Sequence, residues 1–535
     1  MFRLTAWLFA IAAGNLAGLA VSGMAQAASM GMDDARHFLS RTGFGGTLGE
    51  IVELSRYSRQ EAVERALSGP GGGAATATAT SRRPITGAAV TPPPAWVSGP
   101  FVSPRGLRDD PEARRELQQQ EARRGFELRG WWLAEMLATP QPLQERMTLF
   151  WHNHFTSSQQ KVRFSQLMYR QNQLLRRHAL GNFAELLHAV SKDPAMIVYL
   201  DAATNRRGQP NENFAREVME LFTLGEGHYG EADVREAARA FTGWSIDPDS
   251  GEYRWRPFMH DGGAKTVLGR SGDFDGGAVL DILLAQPRTA QFIVAKLWRE
   301  FVSPAPDAAE VRRIAGRFRD SRYDIRTALR ELLLAPAFWA AENRGTLIKS
   351  PAELVVGTLH QFDVSYGDPL PFTLLMASLG QNLFSPPNVR GWPGGEAWIT
   401  SASLLGRKQF LERLFRGQEV AGRGDGGRPP ENQLTASRDM PGAAFADMPA
   451  DRARAEFKGV PGLGRLGAQA RERIAQALTD IRFDAHGWLA QFQPGDVDAM
   501  RRVLLPLESA ATLKAGGEGR ELIRQLVLDP AYQLK

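Results

Sequence analysis

Apolar side chains recur along most of this chain at the spacing of a helix. Leu143, Met147, Phe150 and His154 follow one another at intervals of four, three and four, the stripe a helical period lays along one face. Comparable patterns run through residues 164–178, 183–191, 213–224, 231–242, 288–302, 324–334 and 350–362. The punctuation agrees. Asp307 stands where an N-cap opens a helix through Ala308 and Val311, and Gly225 after Leu224 supplies a C-cap. Glu252-Tyr-Arg-Trp-Arg-Pro-Phe258 alternates in the manner of a strand, with Lys265 to Leu268 as its expected partner. The predicted fold class is all-α: a multi-helix globular domain with one small β-hairpin and long irregular loops.

Two stretches interrupt the periodicity. Residues 68–109 are rich in Gly, Ala, Thr and Pro, including Pro92-Pro93-Pro94, and carry too few large apolar groups to offset the entropy of ordering. Residues 416–447 are similar, with Gly-Arg-Gly-Asp at 422–425. The expected organisation is therefore an N-terminal helical part at 28–67, a disordered insert at 68–109 and a main helical domain at 110–415. A flexible linker at 416–447 and a helical segment at 448–535, packing back on the main domain, complete it. One phrase recurs: Ala328-Leu-Arg-Glu-Leu-Leu-Leu-Ala-Pro-Ala-Phe338 is echoed at Glu521–Tyr532 and, more faintly, at Leu187–Ala195. A packed helix stopped by Pro accounts for it without duplication.

Composition narrows the chemistry. The 535 residues contain no Cys, which excludes disulfides, Cys-ligated zinc, iron–sulfur clusters and thiol catalysis. Lys and Arg exceed Asp and Glu by only 64 to 59 and are interspersed with them, so no nucleic-acid footprint is present. Residues 1–27 read as a secretory signal. Arg3 precedes an apolar run, and Ala25-Gln26-Ala27 gives the small-x-small cleavage pattern before Ala28. The mature chain is expected to be periplasmic or secreted, with no transmembrane segment after the signal.

Four polar clusters are candidates for chemistry. In Phe150-Trp-His-Asn-His-Phe155, His152 and His154 point about 200° apart on a continuous helix, but converge if the helix ends there. The alternatives are a metal pair, or one core and one surface imidazole. Pro210-Asn-Glu-Asn-Phe-Ala-Arg-Glu-Val-Met-Glu-Leu-Phe222 offers Asn211 or Asn213 as a cap, with Arg216 beside Glu220, and Glu217 bordering the buried stripe. His260-Asp-Gly-Gly-Ala-Lys265 presents an imidazole, a carboxylate and an ammonium on a Gly-rich turn, which is equally a hairpin turn. Pro386 to Trp398 holds Asn388, Arg390, Trp392 and Trp398, the aromatic and polar mixture that grips a sugar ring or plugs a core. No nucleophile elbow, His-Glu-x-x-His, P-loop or dinucleotide fingerprint is present.

Taken in order, these phrases resemble one family. They are Arg36-His-Phe-Leu-Ser-Arg-Thr-Gly-Phe-Gly45, the two blocks at 150–155 and 211–217, Ala238-Arg-Ala-Phe-Thr-Gly-Trp244, the loops at 260–265 and 386–398, and the C-terminal Leu-Asp-Pro-Ala-Tyr-Gln-Leu-Lys535. The chain resembles the exported bacterial family catalogued as domain of unknown function 1800, over about residues 33–415 and the last helix. That resemblance implies no activity. It implies export, often beside a second exported family similar to sulfatases and alkaline phosphatases, hence an exported sulfatase-like partner.

From residue chemistry two readings follow. One is an envelope or extracellular hydrolase or oxidase acting on a polysaccharide or other polymer. Its pocket gathers His152, His154, Glu217 and His260 around one divalent transition metal. Glu212, Asp261 and Lys265 serve acid–base steps, and Asn211, Asn213, Asn388, Arg390, Trp392 and Trp398 hold substrate. The other is a non-catalytic scaffold or accessory partner whose polar clusters are core networks.

Overall fold

A computed structural model describes residues 28–68, 88–102, 110–416, 473–474, 476–478, 480–510 and 519–535. The signal expected at 1–27 and the linker expected after Arg416 lie outside the described residues. The architecture is all-α with two small antiparallel ribbons. Helices form where the stripe fell, and their caps are those expected. The Asp307 carboxylate accepts the Ala309 and Glu310 amides of the helix Ala308–Asp320, and Gly225, at φ +84°, follows the turn that ends at Leu224.

The strand expectation needs correction. Tyr253–Trp255 pairs with Trp244–Ile246, whereas Lys265–Val267 pairs with Arg270–Gly272. Turn chemistry decided this. Asp247 accepts the Asp249 and Ser250 amides and closes the first ribbon, and Leu268-Gly269, both at positive φ, close the second. The loop at 260–265 is therefore a link between ribbons and not a hairpin turn.

Part of the insert expected to be disordered lies within the described residues and is ordered. Residues 88–102 lie against the helix Pro111–Ala138, where the Glu135 carboxylate accepts the Val90 and Thr91 amides and Trp96 donates to Glu127 at 2.7 Å. Trp96, Phe101 against the Phe164 ring at 5.2 Å, and the buried Glu135 carboxylate supply the anchoring that composition alone hides.

Two hydrophobic cores divide the molecule, and the helix Pro142–His154 runs between them. Leu143, Met147, Phe150 and Trp151 belong to the first, which extends through residues 183–339. Leu149 belongs to the second, built from Trp131, Trp132 and the segments after 352. The chain is stitched across long separations. Arg41, in the helix Gly31–Thr42, donates to the carbonyls of Phe301, Val302 and Asn343, closing the C-terminal end of the helix Pro287–Phe301. Glu353, capped into the helix Pro351–Gln361, takes Arg146 and Lys535.

Candidate functional site

The Trp-His-Asn-His phrase stays helical through His154, so its two imidazoles diverge as the helical period requires. His152 is 1% exposed and sits among the rings of Trp132, Phe384 and Trp392, 5.4–5.6 Å between centroids. Neither of its nitrogens has a hydrogen-bond partner, and burial holds its pKa down at about 3. His154 enters the other core. Its Nε2 donates to the Phe222 carbonyl at 3.2 Å, and Nδ1 accepts from Lys296 at 2.9 Å. Burial and then the Lys296 charge keep its pKa well below the usual range.

Asn153, between them, looks a third way. Its Oδ1 accepts the Trp392 amide at 2.7 Å, and Gly391, at φ +84°, leaves room for it: a Cβ there would lie 2.2 Å from that oxygen. Thus the loop 386–398 is pinned to the helix end. Trp392 and Trp398 are 3% and 6% exposed, so they fill the core and offer no face to a sugar. Asn388 accepts the Arg390 amide within its own turn, and Arg390 reaches Glu220 at 2.7 Å.

The block at 211–223 changes pitch midway. After the α-turns Glu212–Glu217, residues Val218–Thr223 form a π-helix, and the extra residue turns the Leu221 and Phe222 carbonyls toward Lys296 and His154. Lys296, which the sequence reading passed over, stands in the helix Pro287–Phe301 beside the buried Ile293 and Leu297. Burial lowers its pKa to about 7. Glu217 is half-buried; burial and then Glu220 raise its pKa. Glu220 accepts the Tyr229 hydroxyl at 2.8 Å. Arg216 faces Glu212, one helical turn back, and Glu231, not Glu220.

His260 is apart from both. Its Nδ1 donates to the Thr242 carbonyl at 3.0 Å and its ring lies 4.9 Å from that of Trp255. Asp261 is clasped by Arg239, whose bonds hold its pKa near 2, and Lys265 is bound to the Gly263 carbonyl and Asp273. The four-ligand metal centre is therefore corrected. His152, His154, Glu217 and His260 go to different neighbours, and among the described residues no group of three His, Asp or Glu could hold a metal ion.

What the loops do build is an open groove. Buried Asn205 ties it together: its Nδ2 donates to the Ala238 carbonyl, its Oδ1 accepts the Asn211 amide, and its backbone carbonyl accepts Gly243 N–H. The Arg207 amide then binds the Met259 carbonyl at 2.7 Å, drawing the turn Pro257–Met259 alongside. Between them is a cavity of about 690 Å³ lined by Thr204, Arg206, Gln209, Asn211, Glu212 and Met259. Phe258, next to Met259, is 78% exposed, and Trp255 is 37% exposed. Of the predicted substrate residues Asn211 lies here, and so does Glu212, predicted as catalytic. Asn213 turns inward to the Leu200 carbonyl. Phe258 was hidden in the alternating strand pattern; Pro257, which ends that strand, was the available signal.

The family model described as protein of unknown function (DUF1800) matches residues 37–534. No curated protein and no solved structure matches the chain. Among the described residues no helix is long and apolar enough to cross a membrane.

Proposed function

The chain belongs to the DUF1800 family, and on that premise we propose that it is an exported polysaccharide-binding protein that holds its polymer in the groove at 204–212. One observation carries this reading: Phe258, the most exposed large apolar side chain among the described residues, precedes Met259, which lines a cavity of amides, a guanidinium and a carboxylate. Aromatic faces pack against the C–H face of a pyranose, while Asn, Gln, Arg and Glu pair its hydroxyls. The openness of the groove suits a chain passing through it and not a small molecule enclosed.

Binding is favoured over hydrolysis. The usual glycosidase site holds two carboxylates roughly 5–10 Å apart. Among the described residues Glu212 is the one carboxylate lining the groove, and it is engaged by Arg216 at 3.2 Å. Export rests on the signal pattern of residues 1–27. An accessory role beside a sulfatase-like exported partner, implied by the family resemblance, fits a protein that presents polymer without cutting it.

The test is electrophoresis through native gels containing a neutral glucan, an N-acetylated glycan or a uronic-acid polymer. Retardation by at least one polymer, lost in Phe258→Ala while the melting temperature holds, supports the reading. Wild-type migration unchanged in all three, or retardation that survives Phe258→Ala, overturns it.

A further inference from the structure

A cluster of poorly compensated cations among the described residues lies away from the groove, where the helix Gly31–Thr42, the segment before Pro351, the helix Ser401–Arg416 and the final turn Pro530–Gln533 meet. Two carboxylates are salt-bridged in this corner, Glu353 and Glu300, and both are taken by Arg146 and Lys535. Among the described residues three further cations form no salt bridge, and the carboxylates acting on them from farther off are Asp33 for Arg36 and Glu353 for Lys349 and Arg407. Arg36, 7% exposed, makes a single long bond to the Pro506 carbonyl at 3.5 Å, and its Nε has no partner. Arg407, fully buried, donates to Gln533 and to the Lys349 carbonyl, and its Nε is also unpartnered. The Lys349 ammonium lies 4.0 Å over the Tyr532 ring and, among the described residues, has no hydrogen-bond acceptor.

Burying unpaired charge is strongly unfavourable, and a guanidinium cannot relieve it by shedding a proton. We propose that this corner binds a small tetrahedral oxyanion, phosphate or sulfate, between Lys349, Arg36 and Arg407. The guanidinium forks match the oxyanion edge, and the ammonium adds a point charge. Lys349 is half-buried, which leaves a way in. Without an anion, burial lowers its pKa to about 7; Glu353 opposes that, and Arg36, Arg407 and Lys535 reinforce it. A bound anion reverses that balance. The site is independent of the groove, so its failure leaves the polysaccharide reading untouched.

The experiment titrates the full chain, purified in oxyanion-free buffer, with inorganic phosphate and separately with sulfate, at ionic strength matched with chloride. One equivalent of either anion should bind by calorimetry and raise the melting temperature, with chloride inert. Lys349→Met should weaken binding by about tenfold or more, Lys349→Arg should retain it, and neither should alter polysaccharide retardation. Sulfate keeps its charge across neutral pH, so its affinity should fall as pH rises through about 7. Saturable binding of neither anion, or equal affinity in Lys349→Met, overturns the site. Should that variant not fold, sulfate affinity unchanged between pH 6 and 8 overturns it instead.

Discussion

The knot of motifs around the helix Pro142–His154 and the groove around Asn211 draw on the same residue types, yet the two regions treat them in opposite ways. In the knot the polar side chains are spent on the fold, His152 with its two unpartnered nitrogens excepted: His154 on Phe222 and Lys296, Asn153 on Trp392, Glu353 on Arg146 and Lys535. In the groove, amide, guanidinium and carboxylate line open space, and Phe258, next to Met259 in the chain, is uncovered. The lesson is that a dense polar motif marks an interior that must be satisfied at least as often as a site that reacts.

Substitutions should separate the two regions by effect size. Glu353→Ala leaves the buried Arg146 and Lys535 with only Glu300 between them, so chemical denaturation should report a loss of about 3 kcal/mol. Asn153→Ala leaves the Trp392 amide without its partner and should cost about 1–3 kcal/mol, with the loop at 386–398 becoming more susceptible to protease. If Asn153→Ala were neutral, the knot would not be the structural element described here.

Acid should break the knot and spare the groove. His37 and His152 are held neutral, with pKa near 3 against 6.5 for an exposed imidazole. Their folded values lie below the unfolded one, so stability is complete above pH 6.5 and falls as pH drops toward 3. Each contributes a slope of about 1.4 kcal/mol per pH unit in that window. His152→Leu should remove one such slope, measured by denaturant midpoints between pH 6 and 4. An unchanged slope would falsify its burial as a neutral base. At the small end, Phe258→Ala should shift stability by less than about 0.5 kcal/mol while abolishing polymer retardation.

The helices and their caps were legible because period and capping chemistry are local, as Asp307 and the stripe through Leu143 illustrate. The groove was legible only in part. Asn211 and Glu212 stand out in a motif, whereas Phe258 sits in an ordinary-looking strand and becomes notable only through exposure. The π-turn at Val218–Thr223 left no trace, since its pitch is set by what Lys296 and His154 accept and donate from elsewhere in the chain. The metal reading failed for a local reason: His152 and His154 would have converged only had the helix stopped two residues earlier.

The long-range stitching of Arg41 bears on the order in which this chain can fold. Its guanidinium has no acceptors until residues 301, 302 and 343 exist, and Glu353 keeps an incomplete set of partners until residue 535 is present. A chain delivered N-terminus first cannot complete the first core before residue 339 or the second before residue 532. Pairings so distant in sequence close slowly.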